Sequence, residues 1–312
     1  MPTTPPPPKN PNVFDPPTAE QLAEHLERHP AINVSGWQTR APLFAIVALA
    51  AVGMLLLNQP GFALLPLLGL LALMAYLSGR ARTARELQAR TTRVWELAMI
   101  RRYREALGQA WELIPACRTR PDLHGRSITV IAHVLGELGR DEAAEVAYGY
   151  LLDRLPPDHP LALRLRLQRA IAALCSGRLA DGDEALRKLR GAAESSKDPT
   201  LRAALRLARL VQDVHTGHYA DAVDEAEQTE AALFDLGVEA GYGHGLLALC
   251  FHQLAKHDPS ADNQQRQRLA DRARSLWNNA TLLIPAAALV YRHPDLAPLL
   301  DAMHTTPADT DQ

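Results

Sequence analysis

Two long apolar runs follow each other near the start of the chain. Ala41–Leu57 and Gly61–Ser78 contain no charged side chain over 17 and 18 positions. The Asn-Gln-Pro-Gly sequence at 58–61 joins them and is typical of a turn. Because a helix satisfies its own backbone hydrogen bonds in lipid, the pattern predicts a two-helix transmembrane hairpin over residues 37–79.

The length of these runs leaves one alternative open. As a helix, each run spans about 26 Å, slightly less than the hydrocarbon core of a bilayer at about 30 Å. A single run of this length would also suit a buried core helix, but the rest of the chain offers too little apolar surface to cover two of them. The alternative to a full crossing is a wedge that enters only the cytoplasmic leaflet.

A cluster of arginines directly after the second run predicts the orientation of the hairpin. We call Arg80, Arg82, Arg85, Arg90 and Arg93 the basic collar. Positive residues next to a span stay on the cytoplasmic side, and two spans return the chain to the side that it left. Both termini are therefore expected in the cytoplasm. The basic collar also predicts attraction to anionic lipid, at about 1 kcal/mol per arginine. The alternative is that these arginines only fix the orientation of the hairpin, which is sufficient to explain their presence.

The segment before the hairpin is rich in proline. Eight prolines stand between Met1 and Pro17. Each of them fixes φ and removes a hydrogen-bond donor, so we expect a disordered tail over residues 1–36. This tail contains one short amphipathic helix, predicted at Thr18–His29, with a capping box of Thr18 and Gln21 at its start and Pro30 at its end. A cleaved signal peptide fits poorly, because the first apolar run starts only at Ala41.

Beyond residue 80 the apolar positions recur at helical spacing, and the turns between helices resemble one another. Four junction segments align, and their start positions differ by 38, 38 and 40. They are 101–106, 139–144, 177–182 and 217–222. In each segment the first residue ends a helix, the third covers the corner, and the small sixth residue lets the second helix approach closely. The chain is therefore predicted to be all-α, with tandem helix pairs.

The predicted helices form about five pairs followed by a short cap. They are 80–100 with 103–114, 122–138 with 141–155, 161–176 with 180–194, 200–216 with 219–236, 239–256 with 263–284, and the single helix 295–303. Together they predict a repeat domain over residues 80–303 and a frayed tail over 304–312.

These junctions resemble those of the tetratricopeptide repeat family. The resemblance is carried by Gly217-x-Tyr219-x-x-Ala222, by Tyr103-x-x-Ala106, and by Pro115 and Pro156 at the ends of second helices. Two features depart from the family pattern. The junctions are spaced more widely than the family's period of about 34 residues, and the Trp-Leu-Gly signature of the first helix is missing. A related α-α superhelix is therefore the alternative fold.

The resemblance implies a groove that binds peptides. In tetratricopeptide arrays the first helices line such a groove, and five arginines stand on two successive first helices of this chain. They are Arg166, Arg169, Arg202, Arg206 and Arg209. By resemblance, these arginines would clamp the carboxylates of an acidic segment or a chain terminus. The alternative is a solvated helix face.

The sequence contains no pattern that predicts catalysis. A phosphate-binding loop, a dinucleotide fingerprint and a nucleophile elbow are all missing. The three cysteines are far apart in apolar contexts, which predicts buried thiols in a reducing compartment. His215 and His218 have no third ligand nearby, so no metal or cofactor is expected. The glycines of Gly241–Gly245 lie in a helix-forming stretch and predict close helix packing.

Charge and composition restrict the classes of partner. The net charge is −2, and the positive charge is concentrated in the basic collar, which argues against a nucleic-acid-binding protein. Arginine outnumbers lysine 29 to 4, which indicates a GC-rich and therefore bacterial genome. The resulting hypothesis is a non-catalytic protein-binding scaffold in the bacterial inner membrane. The alternative is a membrane-shaping protein that self-assembles as a homo-oligomer.

Overall fold

The described part of the chain is entirely helical. A computed structural model describes residues 14–32, 64–156, 159–259 and 261–304, and no β-strand occurs in these ranges. The chain divides into two compact units. The N-terminal unit comprises residues 1–15 and 23–131, and the C-terminal unit comprises residues 16–22 and 132–312.

Fourteen α-helices follow each other in the described ranges. They are α1 (Ala19–Arg28), α2 (Leu64–Met99), α3 (Tyr103–Ala116), α4 (Pro121–Glu137), α5 (Asp141–Leu152), α6 (Ala162–Cys175), α7 (Leu179–Glu194), α8 (Pro199–Thr216), α9 (Tyr219–Asp224), α10 (Ala226–Leu233), α11 (Ala240–His257), α12 (Asn263–Leu283), α13 (Ala286–Arg292) and α14 (Ala297–His304). Two short 3₁₀ helices, Phe234–Glu239 and Pro294–Leu296, precede α11 and α14.

Most helix ends lie close to the predicted ones, and two regions differ. The helix predicted at 219–236 is broken at Glu225 into α9 and α10, and a 3₁₀ turn follows in which Gly237 has φ 60° and ψ −124°. The helix α13, between Pro285 and Pro294, was not predicted. Both differences concern short helices, whose stability comes from packing more than from local propensity.

The four aligned junctions have the same backbone conformation. Arg101, Gly139, Gly177 and Gly217 have φ of 61°, 64°, 83° and 75°. In each junction the N–H of the second residue donates to the carbonyl oxygen five positions back, at 2.8 to 2.9 Å. The N–H of the first residue donates to the carbonyl oxygen three positions back. This pair of bonds is the Schellman motif that ends a helix. The predicted repeat register is therefore confirmed at the level of individual hydrogen bonds.

The small sixth residue of each junction is buried, as predicted. Ala106, Ala144 and Ala222 are at most 4% exposed. A Cβ on Gly182 would lie 2.5 Å from Cδ2 of Leu174, which no side chain tolerates without a shift of its neighbour. Close approach of the second helix thus depends on a small residue at this position.

Arg101 stands where the other three junctions have glycine, so replacing it with glycine should stabilise the fold. A non-glycine residue at positive φ costs about 1–2 kcal/mol, partly offset by the greater chain entropy of glycine. We expect Arg101→Gly to raise the free energy of unfolding by about 1 kcal/mol, measured by urea denaturation. The matched control is Gly177→Ala, whose added Cβ meets nothing within 4 Å and should destabilise by a similar amount. A fall in stability with Arg101→Gly would contradict the prediction.

The predicted hairpin lies mostly outside the described residues. The first apolar run does so entirely, as do residues 61–63 of the second, while residues 64–78 form the beginning of α2. Among the residues that the structure describes, no helix is both long enough and apolar enough to cross a membrane. The transmembrane hairpin therefore stays a prediction from the sequence.

The helix α2 changes character along its length. Its C-terminal part packs on α3 through Thr91, Val94 and Leu97, which are at most 6% exposed. Between residues 71 and 90 nearly every side chain is exposed, including Leu71 at 55% and Met74 at 63%. The part of α2 that carries the end of the second apolar run and most of the basic collar is therefore largely exposed.

The helix α1 begins with the predicted capping box. The N–H of Thr18 donates to Oε1 of Gln21 at 3.0 Å, and the N–H of Gln21 donates to Oγ1 of Thr18 at 3.3 Å. These reciprocal bonds satisfy two of the free donors at the helix start. Leu22 and Leu26, one turn apart, are at most 1% exposed, so this face of α1 is buried as its amphipathic pattern predicted.

The segment after the start of α1 is held within the N-terminal unit by specific contacts. The ring of His25 stacks on Trp111 of α3 with centroids 3.8 Å apart. The N–H of Ile32 donates to the carbonyl oxygen of Arg118 at 2.7 Å, and Nε2 of His124 lies 3.0 Å from the carbonyl oxygen of His29. The chain that precedes the predicted hairpin is therefore fixed against α3 and the beginning of α4.

The glycines near the start of α11 serve close packing, as the sequence predicted. A Cβ on Gly243 would lie 2.4 Å from Cδ1 of Leu233, and one on Gly241 would lie 2.8 Å from Cγ1 of Ile284. A Cβ on Gly245 would lie 3.4 Å from Cδ1 of Leu296. Gly243 and Gly241 therefore allow the fully buried side chains of Leu233 and Ile284 to lie directly against the backbone of α11, whereas a Cβ on Gly245 would make an ordinary contact.

Candidate functional site

A cavity of about 490 Å³ lies between α5, α6 and α7 in the C-terminal unit. Its charged lining residues are Glu145, Arg166, Arg169, Arg178, Asp181, Glu184 and Lys188. We call it the arginine cavity. Four basic side chains face three acidic ones, so the lining carries an excess of positive charge.

The repeat geometry positions the side chains of the arginine cavity. Arg166 and Arg169 are three positions apart on α6 and therefore share one face of the helix, while Leu165 and Leu167 are buried. Arg178 follows the left-handed Gly177 and stands at the start of α7. The same junction that ends α6 thus brings Arg178 beside the arginines of α6.

One buried carboxylate organises two of these arginines. The side chain of Glu145, on α5, is 11% exposed. It accepts a hydrogen bond from Nε of Arg169 at 3.4 Å and forms an ion pair with Arg178. Because burial of an unpaired charge is costly, Glu145 requires at least one of these guanidinium groups. Glu145 therefore restrains both guanidinium groups, although their side chains are 48% and 46% exposed.

The rim of the arginine cavity is more solvated. Glu184 accepts a bond from Nζ of Lys188 at 2.6 Å, and this bond lowers the pKa of the Glu184 carboxyl group. Arg166 is exposed and forms no ion pair within the part of the chain that the structure describes. Its guanidinium group is the cation of this cavity that is open to an external carboxylate.

The structure divides the five predicted groove arginines. Only Arg166 and Arg169 line the arginine cavity. Arg206 forms an ion pair with Glu225, and Arg209 forms one with Glu194 of α7. Arg202 is exposed on the first turn of α8. The predicted stripe of arginines is therefore not one continuous surface, because two of its members connect α8 to neighbouring elements.

A second cavity lies where the first helices of successive pairs meet. It measures about 80 Å³ and is lined from α4, α6, α8, α11 and α13. We call it the first-helix cavity. Its polar lining residues are His133, Glu137, Gln168, Glu239, Tyr242, Arg292 and His293. The hydroxyl of Tyr242 donates to Oε2 of Glu137 at 2.7 Å. The side chains that meet between the first helices are thus acidic and aromatic as well as basic.

Sequence reasoning missed the first-helix cavity, although a signal for it was present. His133, Ile171 and Val211 all line this cavity, and their positions differ by 38 and 40, which matches the spacing of the junctions. The same repeat shift relates Arg166 to Arg206. Periodicity therefore identifies equivalent positions, but it does not tell which face of a helix meets which neighbour.

Both cavities are lined by several charged and polar side chains. In residues 14–32, 64–156, 159–259 and 261–304 no cluster of three His, Cys, Asp or Glu side chains is arranged to hold a metal ion. Burial raises the pKa of the Cys250 thiol to about 12, so this thiol stays protonated at neutral pH.

Comparison with family models, with curated proteins and with solved structures finds no match to this chain.

Proposed function

We propose that this chain is a membrane-anchored, non-catalytic scaffold whose tetratricopeptide-like helix pairs bind an acidic or C-terminal segment of a partner protein at the cytoplasmic face of the bacterial inner membrane. The observation that carries the proposal is the arginine cavity, with its excess of positive charge and its open Arg166. Charge-assisted bonds from guanidinium groups to carboxylates are among the strongest hydrogen bonds in proteins.

The geometry of the arginine cavity favours binding in two ways. Glu145 already holds Arg169 and Arg178, so these side chains lose little conformational freedom when a ligand binds. The volume of about 490 Å³ accommodates a few residues of a peptide. A carboxylate that enters beside Arg166 would pair with it without displacing an existing partner.

The contacts on both flanks of the predicted hairpin support the membrane anchor. Before it, Ile32 is hydrogen-bonded to Arg118, and after it, α2 packs on α3 from Thr91 onward. Both flanks belong to the N-terminal unit. An anchor between these flanks would start and end at one compact unit, which requires an even number of membrane crossings.

The lengths of the two connections agree with such an anchor. The exposed part of α2 between the second apolar run and the packed region, residues 79–90, rises about 18 Å. Residues 33–40 precede the first run and could reach at most about 27 Å if fully extended. Both connections can therefore span the same gap between the membrane and the N-terminal unit.

The basic collar is suited to the surface of this membrane. Arg80, Arg82 and Arg85 follow the second apolar run on exposed positions of α2. Arg90 lies 3.7 Å from Glu112 in an exposed and therefore weak ion pair. We extend the proposal to contact between the first three of these arginines and anionic lipid headgroups.

The scaffold function is tested by reversing the charge of the arginine cavity. In the native host, the full chain is fused to a proximity-labelling enzyme, and the variant Arg166→Glu/Arg169→Glu is compared with the native chain. We expect the labelling of a specific partner to fall at least about tenfold, because each lost charge-assisted bond weakens binding by more than about 1 kcal/mol.

The control for this test is Arg187→Glu/Arg190→Glu. Both arginines lie on exposed positions of α7, outside the arginine cavity, so the change in net charge is the same. A partner that is lost with the first variant and kept with the control supports the proposal. Identical labelling with both variants and the native chain would rule out the arginine cavity as the binding site.

Self-assembly of the chain is the second candidate function. It is favoured by large apolar side chains on the surface of the C-terminal unit: Phe234 is 86% exposed, Leu282 is 84% exposed and Val238 is 54% exposed. The two functions differ in the mass of the detergent-solubilised chain, which is that of a monomer for the scaffold and that of an oligomer for a membrane-shaping assembly.

A further inference from the structure

The second junction departs from the other three at its third residue. This position holds Tyr103, Leu179 and Tyr219 in the other junctions, where it covers the corner between helices. In the second junction it holds Asp141, which is only 8% exposed. A carboxylate therefore stands at a buried position where the other junctions have an aromatic or aliphatic side chain, and it needs a partner there.

That partner comes from the end of the chain. Nη1 of Arg292, the last residue of α13, lies 2.8 Å from Oδ1 and 2.9 Å from Oδ2 of Asp141. The two side chains are 10% and 9% exposed. The residues are 151 positions apart, so this buried ion pair connects the last part of the chain to its second junction.

The surroundings of Arg292 form a pocket that suits a flat guanidinium group. Nη2 lies near Gly136, where a Cβ would be 3.9 Å from it, at ordinary van der Waals distance. Sγ of Cys175 lies 3.9 Å from the same nitrogen. Arg292 also reaches into the first-helix cavity, whose lining carries the carboxylates of Glu137 and Glu239. Arg292 supplies the one guanidinium group among the described residues that line this cavity, so its removal leaves these two carboxylates beside an Asp141 that has lost its ion pair.

The segment that carries Arg292 has few fully buried side chains between its two ends. We call residues 285–295 the C-terminal strap. It lies between Ile284 and Leu296, both fully buried, and it enters through extended backbone at Ile284 and Pro285. Within α13 only Leu289 is buried, and Tyr291 is 60% exposed. Besides Leu289 and His293, the C-terminal strap is held by Ala286, Ala288 and Val290, which are half-buried against the core. The hydroxyl of Tyr291 donates to the carbonyl oxygen of Leu138 at 3.3 Å, and the Arg292–Asp141 ion pair is the buried charged contact of the strap.

We propose that the second junction is a guanidinium-binding pocket which the C-terminal strap fills with its own Arg292, and that an arginine-bearing segment of a partner protein binds there when the strap opens. The pocket selects arginine because Nη1 of the planar guanidinium group meets both carboxylate oxygens of Asp141 while Nη2 lies 3.9 Å from Sγ of Cys175, an arrangement that the single nitrogen of lysine cannot reproduce. This site has the opposite charge preference to the arginine cavity and is independent of it.

The reactivity of two cysteines in the full chain measures opening of the C-terminal strap. Cys175 lies beside Arg292 and also lines a cavity that leads to the surface, whereas Cys250 is fully buried in the same unit. We expect Arg292→Ala to increase the rate of N-ethylmaleimide labelling at Cys175 by at least about tenfold, and by clearly more than at Cys250, because Cys175 is half-buried beside Arg292 and a local opening exposes it fully.

The charge of Arg292 cannot itself produce this acceleration. Burial raises the pKa of the Cys175 thiol to about 11, and the positive charge of Arg292 opposes that rise. Removing the charge would therefore raise the pKa further and slow the reaction of the thiolate. Faster labelling of Cys175 thus reports exposure of the thiol.

Small cations then test what the pocket recognises. Ethylguanidinium added to the Arg292→Ala chain should restore slow labelling of Cys175, whereas ethylammonium at the same concentration should not. A peptide with the sequence of residues 285–295 should also protect Cys175, and the same peptide with alanine in place of arginine should not. Arg292→Lys keeps the charge but not the planar guanidinium group, and it is a second, milder variant. We expect labelling of Cys175 to be faster in this variant than in the native chain, and we expect ethylguanidinium to slow it again.

Three results would overturn the proposal. The first is equal acceleration at Cys250, which would show general loosening of the unit. The second is unchanged labelling of Cys175 in both Arg292 variants. The third is equal protection by ethylguanidinium and ethylammonium, or by the arginine and alanine peptides, which would show a site without preference for guanidinium.

Discussion

Arginine placed in the middle of each apolar run is expected to release the chain from membranes. In the variant Val47→Arg/Leu70→Arg, each new charge opposes insertion by about 2.5–3.5 kcal/mol, which is comparable to the favourable contribution of an entire marginal span. The measurement is the fraction of the chain that stays with the membrane pellet after an alkaline wash. We expect this fraction to fall from nearly all of the chain to a small remainder.

The control for this variant is Gln88→Arg, which adds positive charge at an exposed position of α2 outside both runs. It should leave the chain in the pellet. A pellet fraction that is unchanged by Val47→Arg/Leu70→Arg would contradict the hairpin. A cysteine introduced at Gln59, in the predicted turn, separates the full crossing from the wedge. A membrane-impermeant maleimide should label it from the periplasm only if both runs cross the bilayer.

Breaking the Arg292–Asp141 ion pair from one side is expected to cause the largest loss of folding stability. Asp141→Leu leaves a buried guanidinium without a partner, and Arg292→Met leaves a buried carboxylate. Each change should lower the free energy of unfolding by about 3–5 kcal/mol, because a buried charge without a partner keeps its full desolvation cost. Urea denaturation measures both effects.

The double variant Asp141→Leu/Arg292→Met should regain most of this stability. It removes both charges and places at residue 141 the leucine that the third junction has at the equivalent Leu179. Well-packed apolar replacements of a buried ion pair are often neutral. The control is the exposed pair Arg274 and Asp271, whose single changes should each alter stability by less than about 0.5 kcal/mol. Additive losses at 141 and 292 would show that the two residues are not coupled.

The repeat junctions were predictable because their determinants are local. A residue in the left-handed region and a small residue five positions later are visible in a stretch of six amino acids. The structure confirms both features at all four junctions, including Arg101, where no glycine announces the turn. The capping box of Thr18 and Gln21 was predictable for the same reason.

The candidate site was predictable only in part. Arg166 and Arg169 line the arginine cavity, but Arg206 and Arg209, at the equivalent positions one repeat later, form ion pairs with neighbouring elements. Equivalent positions in a repeat share a backbone environment. Their side chains nevertheless meet different residues, because the sequences of the neighbouring helices differ. The arginine cavity also depends on Glu145, whose role did not stand out from its sequence context.

By itself, the sequence determined the all-α class, most helix ends and the register of the repeats, since these depend on hydrogen bonds and side-chain sizes within a short stretch of chain. Only the tertiary structure decided that Asp141 meets Arg292 and that Glu145 gathers Arg169 and Arg178. A buried charge must be matched wherever the fold brings a partner, and that partner can lie 151 positions away. No local pattern marks such a pair, because each residue alone resembles an ordinary surface charge.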